Sequence, residues 1–290
     1  MVATLRLIRN PEARILTALC VCAKVKKRLG MTKDEYKGNK LRTQQYLEIF
    51  SRENVLRSLI PTNSPIILDV GANMGQSIEE FSDIWPNSTI YSFEPLEECQ
   101  QSLNDLKNKI NPIGIHIFNC AVGSVTDFSG LPFYTHDISE GLTGTSSGLS
   151  GFNKMNVHSK DSINIQNLKG KSSEFESYVK LVNKERKVPC VRLDDWIREN
   201  CITKIDLLKI DTQGHEPYVL EGAGHHLERI KVIVTELMLY DLYSKSLSFS
   251  DIEYFLTPAG FKLFDISHIS KNPMNGRTDW VDVIYVNKNL

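Results

Sequence analysis

The run Ile67-Leu68-Asp69-Val70-Gly71-Ala72-Asn73-Met74-Gly75 decides the fold of this chain. An apolar strand enters a turn at Gly71, and a helix begins directly after the turn. Glycine lets the backbone bend sharply and lets a ligand approach where a Cβ would collide, and Gly75 allows close packing at the start of the helix. The exposed N-terminus of a helix also attracts polar or negative groups. The run therefore predicts a ligand-binding turn at the carboxyl end of a buried strand.

An acidic residue, Glu94, ends the next predicted strand, and Pro95 follows it. A carboxylate in this place can accept hydrogen bonds from both hydroxyls of a ribose. A dinucleotide site requires GxGxxG, in which the second glycine makes room for a pyrophosphate. This chain has DxGxNxG instead, with Asn73 at that position. The spacing favours a nucleoside that carries an amino-acid tail, bound by Asp69, Gly71, Asn73, Gly75, Glu94 and Pro95.

From Pro65 onward, short apolar runs alternate with amphipathic segments. This alternation predicts a mostly parallel sheet of seven strands with helices on both faces. The last two strands look like an antiparallel pair. The predicted strands are 66–70, 89–93, 115–122, 205–210, 232–237, 261–266 and 281–286, and the predicted helices are 73–84, 96–110, 216–221 and 249–256.

A second motif, Leu208-Lys209-Ile210-Asp211-Thr212-Gln213-Gly214-His215-Glu216, follows the strand 205–210. Asp211 comes at the carboxyl edge of the sheet, where open α/β sheets bind ligands, and it is a candidate for both cofactor binding and catalysis. His215 is the candidate general base because an imidazole with a pKa of about 6.5 accepts a proton near neutrality. Asp211 or Glu216 would orient or replace it. The alternatives are a helix cap for Asp211 and first-turn positions without a chemical role for the other two.

The end of the third predicted strand supplies further candidates. Asn119 and Ala121 lie where an adenine would bind in this architecture, although an ordinary strand end would look the same. Glu236 ends a later strand and could face the same pocket. Together with Asp211 and Asp194 it could supply oxygen ligands to a divalent metal, but nothing in the spacing requires a metal.

Composition and charge set the remaining expectations. The net charge of −1 and an apolar fraction of 41% indicate a globular protein with no attraction to nucleic acid. The apolar run 13–23 is too short to span a bilayer, and six scattered cysteines indicate a reducing, cytoplasmic location. We expect a helical extension over 1–60, which packs on the domain or on a second copy in a homo-oligomer, or contacts a lipid surface. The main domain would be 61–290, with a loop over 136–187 acting as a lid.

Several motifs occur in the order in which one enzyme family carries them, and over residues 65–287 the chain resembles the FkbM family of methyltransferases. The family usually has an acid where this chain has Gln213. The matching motifs are Asp69 to Gly75, Phe93-Glu94-Pro95, Asn119-x-Ala121-x-Gly123, Thr145-Ser146-Ser147, Leu193-Asp194-Asp195 and Lys209-Ile210-Asp211-x-x-Gly214-x-Glu216.

The resemblance implies a class I methyltransferase fold, which is Rossmann-like, with S-adenosylmethionine as the methyl donor. It also implies that the methyl group is transferred to a hydroxyl oxygen of a small molecule, such as a sugar, a polyketide or a related metabolite. Two other functions remain open at this point. One is an NAD(P)-dependent oxidoreductase on a similar sheet, and the other is a noncatalytic scaffold that keeps the cofactor pocket.

Overall fold

The computed structural model describes residues 49–137, 146–245 and 247–290 of the chain. Both of its sheets lie in one compact unit, Leu56–Leu290. In chain order the strands are β1 Ile66–Val70, β2 Thr89–Phe93, β3 Ile115–Phe118, β4 Ala121–Gly123, β5 Asp127–Thr135, β6 Lys184–Arg192, β7 Ile205–Ile210, β8 Ile230–Met238, β9 Phe261–Lys271 and β10 Thr278–Asn287. The α-helices are α1 Arg52–Leu59, α2 Gln76–Ile84, α3 Glu97–Ile110, α4 Ile163–Asn167, α5 Ser172–Leu181, α6 Leu193–Glu199, α7 Glu216–Ala223 and α8 Phe249–Leu256.

The main sheet has seven strands in the order β3-β2-β1-β7-β8-β10-β9. All its pairs are parallel except those of β10, which runs antiparallel to β8 and β9. The chain first builds outward from β1 to β3 and then continues on the other side of β1 with β7. Such a switch point opens a crevice at the carboxyl ends of the two strands. The predicted α/β fold and its seven-stranded, mostly parallel sheet are confirmed.

The central strands are buried because helices cover both faces of a mostly parallel sheet. Every residue of β7 is buried. On one face, Trp196 of α6 packs edge-on against Phe93 and Phe118, with ring centroids 5.0 and 5.2 Å apart. Fully burying a side chain such as Phe93 contributes about 1.5–3 kcal/mol. This packing fixes the end of β2, and therefore Glu94, relative to the switch point.

The predicted third strand, 115–122, is wrong in its extent because two strands replace it. β3 belongs to the main sheet, whereas β4 belongs to a second sheet of three strands in the order β4-β6-β5. The chain bends at Asn119 and Cys120, after which Ala121 pairs with Cys190 of β6. An apolar run has the same pattern whether it continues in one sheet or turns into another, so only the tertiary structure shows the break.

The segment predicted as a single loop, 136–187, contains more structure than expected. It includes a 3₁₀ helix Ser146–Leu149, the helices α4 and α5, and the first residues of β6. Met155 and Tyr178 from this segment form an apolar cluster with Met238 and Leu242. The segment lacked a long periodic pattern because its elements are short and only one side of each is buried. Its role as a lid stays a prediction.

Most of the predicted N-terminal extension, residues 1–48, lies outside the described residues, as does the predicted contact with a second copy or a lipid surface. Within the described part, α1 covers the end of the range predicted as helical. No helix of the described residues is long and apolar enough to cross a membrane.

Candidate active site

The glycine turn after β1 brings the two sequence motifs into direct contact. Gly71 has a φ of 81°, and a Cβ at this position would lie 1.9 Å from the backbone carbonyl oxygen of Asp211. The space beside Gly71 is therefore taken by the chain that leaves β7. Gly75 has a φ of 100°, and its Cβ would lie 2.5 Å from Cδ2 of Leu106 on α3. This is the close packing at the start of the helix that the sequence indicated.

Lys209 joins the two motifs electrostatically. Its Nζ donates a hydrogen bond to the carbonyl oxygen of Gly71 at 2.8 Å and lies 3.4 Å from Oδ1 of Asp69 and 3.6 Å from Oδ2 of Asp211. Strand register sets this arrangement, because Asp69 pairs with Lys209 across β1 and β7. The sequence motif contains Lys209 but gives it no role. A single lysine inside an apolar strand was the feature that could have indicated a buried ion pair.

Burial and the neighbouring charges set the pKa values of Asp69 and Lys209. Asp69 is completely buried, and burial raises its pKa despite the opposing effect of Lys209 and a hydrogen bond from Ser92. Burial disfavours the charged form of Lys209, but the carboxylates of Asp69 and Asp211 outweigh it and raise its pKa. The buried carboxyl group of Asp69 therefore forms an ion pair with Lys209 beside the glycine turn.

Glu94 fixes the start of the glycine turn from the neighbouring strand. Its Oε2 accepts a hydrogen bond from the backbone N–H of Asn73 at 2.9 Å, and its Oε1 accepts one from the N–H of Leu96 at 2.9 Å. Burial raises the pKa of Glu94 to about 7. Asn73 has a φ of 47°, and its Oδ1 accepts a hydrogen bond from the hydroxyl of Ser147 at 2.7 Å. The turn is thus tied both to β2 and to the 3₁₀ helix Ser146–Leu149.

A cavity of about 530 Å³, here called the first cavity, opens at the switch point beside this turn. Five of the predicted site residues line it, namely Gly71, Glu94, Pro95, Ala121 and Asp211. Asp69, Asn73 and Gly75 are not among its lining residues, and Asn119, which also does not line it, is exposed to solvent. Its other lining residues are Val70, Phe93, Leu96, Val122, Phe133, Ser147, Gly148, Ser150, Phe152, Thr212 and Gln213.

A larger cavity of about 1250 Å³, here called the second cavity, adjoins the first. Three residues line both cavities: Gly148, Asp211 and Gln213. One part of its wall is apolar or aromatic, formed by Leu149, Met155, Met238, Tyr240, Leu242, Pro273 and Trp280, and the remaining lining residues are Ser162, Glu236, Ser270, Lys271 and Asp279.

Side chains of the second motif, together with Tyr243 from outside it, hold the border between the cavities. Nε2 of Gln213 donates a hydrogen bond to Oδ1 of Asp211 at 2.8 Å, and the hydroxyl of Tyr243 donates one to Oε1 of Gln213 at 2.6 Å. Oε1 of Glu216 accepts hydrogen bonds from the N–H groups of Thr212 at 2.8 Å and Gly214 at 3.3 Å. Burial raises the pKa of Glu216 to about 7. Glu216 therefore shapes the backbone that carries Asp211.

His215 is not among the residues that line either cavity. Its ring stacks between Phe152 and Tyr218, with centroid distances of 4.3 and 4.6 Å. Burial, together with the charge of Lys245, lowers its pKa to about 4. The imidazole is therefore neutral at physiological pH and packed against aromatic rings. Its role as the general base stays a prediction.

The metal ligand set of Asp211, Glu236 and Asp194 is not assembled in the structure. Glu236 lines the second cavity with Asp211, and burial raises its pKa well above the ordinary value, with Asp211 adding to the rise. Asp194 lies elsewhere, with Oδ1 2.6 Å from Nδ1 of His226. The possible three-carboxylate site is therefore not formed, because Asp194 at the start of α6 faces His225 and His226 after α7.

The sequence profile of the methyltransferase FkbM domain matches residues 69–263. The chain belongs to the FkbM methyltransferase family. It is therefore an S-adenosylmethionine-dependent methyltransferase, and the matches do not favour the NAD(P)-dependent alternative.

Two named methyltransferases are moderately similar to the chain. It is 27% identical over 194 residues to the 2-O-methyltransferase NoeI of Sinorhizobium fredii. This alignment covers 66% of this chain and 70% of NoeI. It is 26% identical over 201 residues to the 31-O-demethyl-FK506 methyltransferase FkbM of Streptomyces tacrolimicus, covering 66% and 73%. Among solved structures, the methyltransferase FkbM of Methylobacillus flagellatus matches with a TM-score of 0.45 and 13% identity, over 77% of this chain and 44% of that one.

The first cavity suits the cofactor of an FkbM methyltransferase. Glu94 lines it, and the two backbone N–H bonds on its oxygens leave acceptor capacity for ribose hydroxyls. Phe133 and Phe152 give it an apolar wall suited to a flat base. Cofactor binding by Glu94, Pro95, Gly71 and Ala121 stays a prediction.

Proposed function

We propose that this enzyme methylates a hydroxyl oxygen of a bulky, largely apolar small molecule that lies in the second cavity. The observation that carries the proposal is the border formed by Gly148, Asp211 and Gln213, which line both cavities. Two reactants in neighbouring cavities meet at that border, and an in-line transfer requires such a meeting point. NoeI is named as a 2-O-methyltransferase and FkbM as a 31-O-demethyl-FK506 methyltransferase, which supports an oxygen acceptor.

The cofactor supplies a methyl group bound to a positively charged sulfur, so the chemistry asked of the protein is positioning and proton removal. Asp211 at the border accepts the hydroxyl proton in this proposal. Gln213 and Tyr243 fix its Oδ1 through two successive hydrogen bonds, while Lys209 lies beside its Oδ2. A carboxylate held in this way is oriented before the acceptor arrives. His215 and Glu216 then act as positioning residues, through ring packing and backbone hydrogen bonds respectively.

The second cavity also indicates the chemical class of the acceptor. Its apolar and aromatic wall suits a cyclic or polyketide-like skeleton, or an apolar face of a sugar ring. Three acids line it, and the raised pKa of Glu236 favours its neutral form. The other two, Asp211 and Asp279, still outnumber the one lining cation, Lys271. Anionic acceptors such as carboxylates and phosphates are therefore disfavoured by like charge. We propose an uncharged hydroxyl compound.

The test compares Asp211→Asn with His215→Phe in single-turnover transfer of labelled methyl to a panel of hydroxyl compounds, uncharged and anionic. Loss of a general base costs about 10²–10⁴-fold in rate. We expect that loss in Asp211→Asn, with affinity for S-adenosylhomocysteine within a few fold of wild type. His215→Phe keeps an aromatic ring between its neighbours and should retain most of its rate.

Two results would contradict the assignments. A wild-type rate in Asp211→Asn would remove Asp211 as the base, and a collapse in His215→Phe alone would restore the histidine to that role. A wild-type protein that binds S-adenosylhomocysteine but methylates no member of the panel would support the noncatalytic scaffold.

A further inference from the structure

A cluster of possible metal ligands lies outside both cavities, at the far end of α7. The 3₁₀ helix Gly224–Arg229 places His225 and His226 next to each other, with ring centroids 4.2 Å apart. Both rings face Asp194 in the first turn of α6. Oδ1 of Asp194 lies 2.6 Å from Nδ1 of His226 and 3.8 Å from Nδ1 of His225, and the three ligating atoms all lie within 4.8 Å of one another.

The buried part of this cluster is a close pair. The side chain of His226 is only 8% exposed, and its Nδ1 lies 2.6 Å from Oδ1 of Asp194, within hydrogen-bond distance. Both atoms are common metal ligands, so a cation here would replace this contact with two bonds to the metal. His225 would supply the third ligand atom.

The ligand types indicate which cation would fit. Two imidazole nitrogens and one carboxylate oxygen suit zinc and related transition metals, whereas calcium and magnesium prefer oxygen ligands alone. Zinc bonds of about 2.0–2.1 Å place tetrahedral ligand atoms about 3.3 Å apart. The observed contacts of 2.6 and 3.8 Å lie on either side of that value, so a small rotation of the carboxylate and the imidazoles is enough.

The surroundings allow entry of an ion and hold one ligand in place. The side chain of His225 is 69% exposed, so an ion reaches the cluster from solvent, and water can take the fourth position. Nε of Arg192 lies 3.8 Å from Oδ2 of Asp194. Partners of this kind orient a ligating carboxylate, although the charge of Arg192 also lowers the affinity for a cation.

We propose that Asp194, His225 and His226 form a binding site for a divalent transition metal of the zinc class. The ion would join the start of α6 to the segment after α7. It lies outside the lining of both cavities, so its expected effect is on stability rather than on the chemistry of transfer.

The test uses tag-free, chelator-treated full-length protein titrated with zinc chloride and, separately, with cobalt chloride. His225→Ala and Asp194→Asn are the variants, and His268→Ala is the matched control, because His268 is also an exposed histidine. We expect zinc to bind and to raise the melting temperature of the wild type and of His268→Ala. Affinity should fall about tenfold or more in His225→Ala, and cobalt should give the absorption of a four-coordinate site that this variant loses.

His225 is largely exposed, so His225→Ala should fold even if Asp194→Asn does not. Equal zinc affinity in wild type and His225→Ala would overturn the proposal, since the ion would then be bound by other groups, such as cysteines. Absence of zinc binding to the wild type would overturn it as well. Neither result depends on methyl transfer, so the proposed function would be unaffected.

Discussion

Replacing Lys209 with methionine removes the cation that joins the glycine turn to the Asp211 loop. The lysine side chain is only 11% exposed, and Asp69 beside it is completely buried. Removal of one partner from a buried ion pair costs about 3–5 kcal/mol of folding stability, because the remaining carboxylate has lost its partner. We expect Lys209→Met to lower the free energy of unfolding by that amount. Methionine fills most of the volume, so little of the loss would come from a cavity.

The assay is urea-induced unfolding of Lys209→Met, with Lys204→Met as the matched control. Nζ of Lys204 lies 3.2 Å from Oδ2 of Asp206, but its side chain is 58% exposed. Exposed ion pairs contribute about 0–1 kcal/mol, so the control should lose little. A second variant, Asp69→Asn combined with Lys209→Met, should recover part of the stability because no buried charge is left alone.

The loss should also depend on pH. The pKa of Asp69 is already raised in the folded protein by burial, and removal of Lys209 raises it further. A carboxyl group whose pKa is raised in the folded protein destabilises the fold only at pH values at which it ionises. The loss of stability is therefore absent below the pKa of the unfolded state and complete above the pKa of the folded state. The loss in Lys209→Met should therefore be larger at about pH 8 than at about pH 5. A loss below about 1 kcal/mol at the higher pH, or one no larger than that of Lys204→Met, would refute this account of the pair.

Two further predictions concern cofactor binding and transfer. Gly71→Ala puts a Cβ 1.9 Å from the carbonyl oxygen of Asp211, and the resulting shift should lower the single-turnover rate about 100-fold. Gly170→Ala is its control, since Gly170 also has a positive φ but no atom within 4 Å; a similar rate loss in both would argue against the contact. The pKa of Glu94 is about 7, so its ionised fraction rises from about one tenth at pH 6 to about nine tenths at pH 8. If the carboxylate binds ribose, the dissociation constant of S-adenosylhomocysteine measured by calorimetry should fall about tenfold over that range, and Glu94→Gln should show no such dependence.

Local sequence was enough to predict the architecture of this protein. The strand, glycine turn, helix and acid from Asp69 to Glu94 have an order and spacing that depend on neighbouring residues alone, and the structure reproduces it. The same holds for β7 and for Asp211 at its end. Motif identity was also enough for the family, because the combination of these motifs is specific.

Only the tertiary structure decided which of these residues contact one another and which line the cavities. Register across β1 and β7 places Lys209 against Asp69, a contact between residues far apart in the chain. The bend at Asn119, the aromatic packing of His215 and the separation of Asp194 from Asp211 likewise depend on which surfaces meet. Side-chain chemistry and periodicity describe what a residue is able to do, whereas the neighbours that determine its burial and charge come from distant parts of the chain.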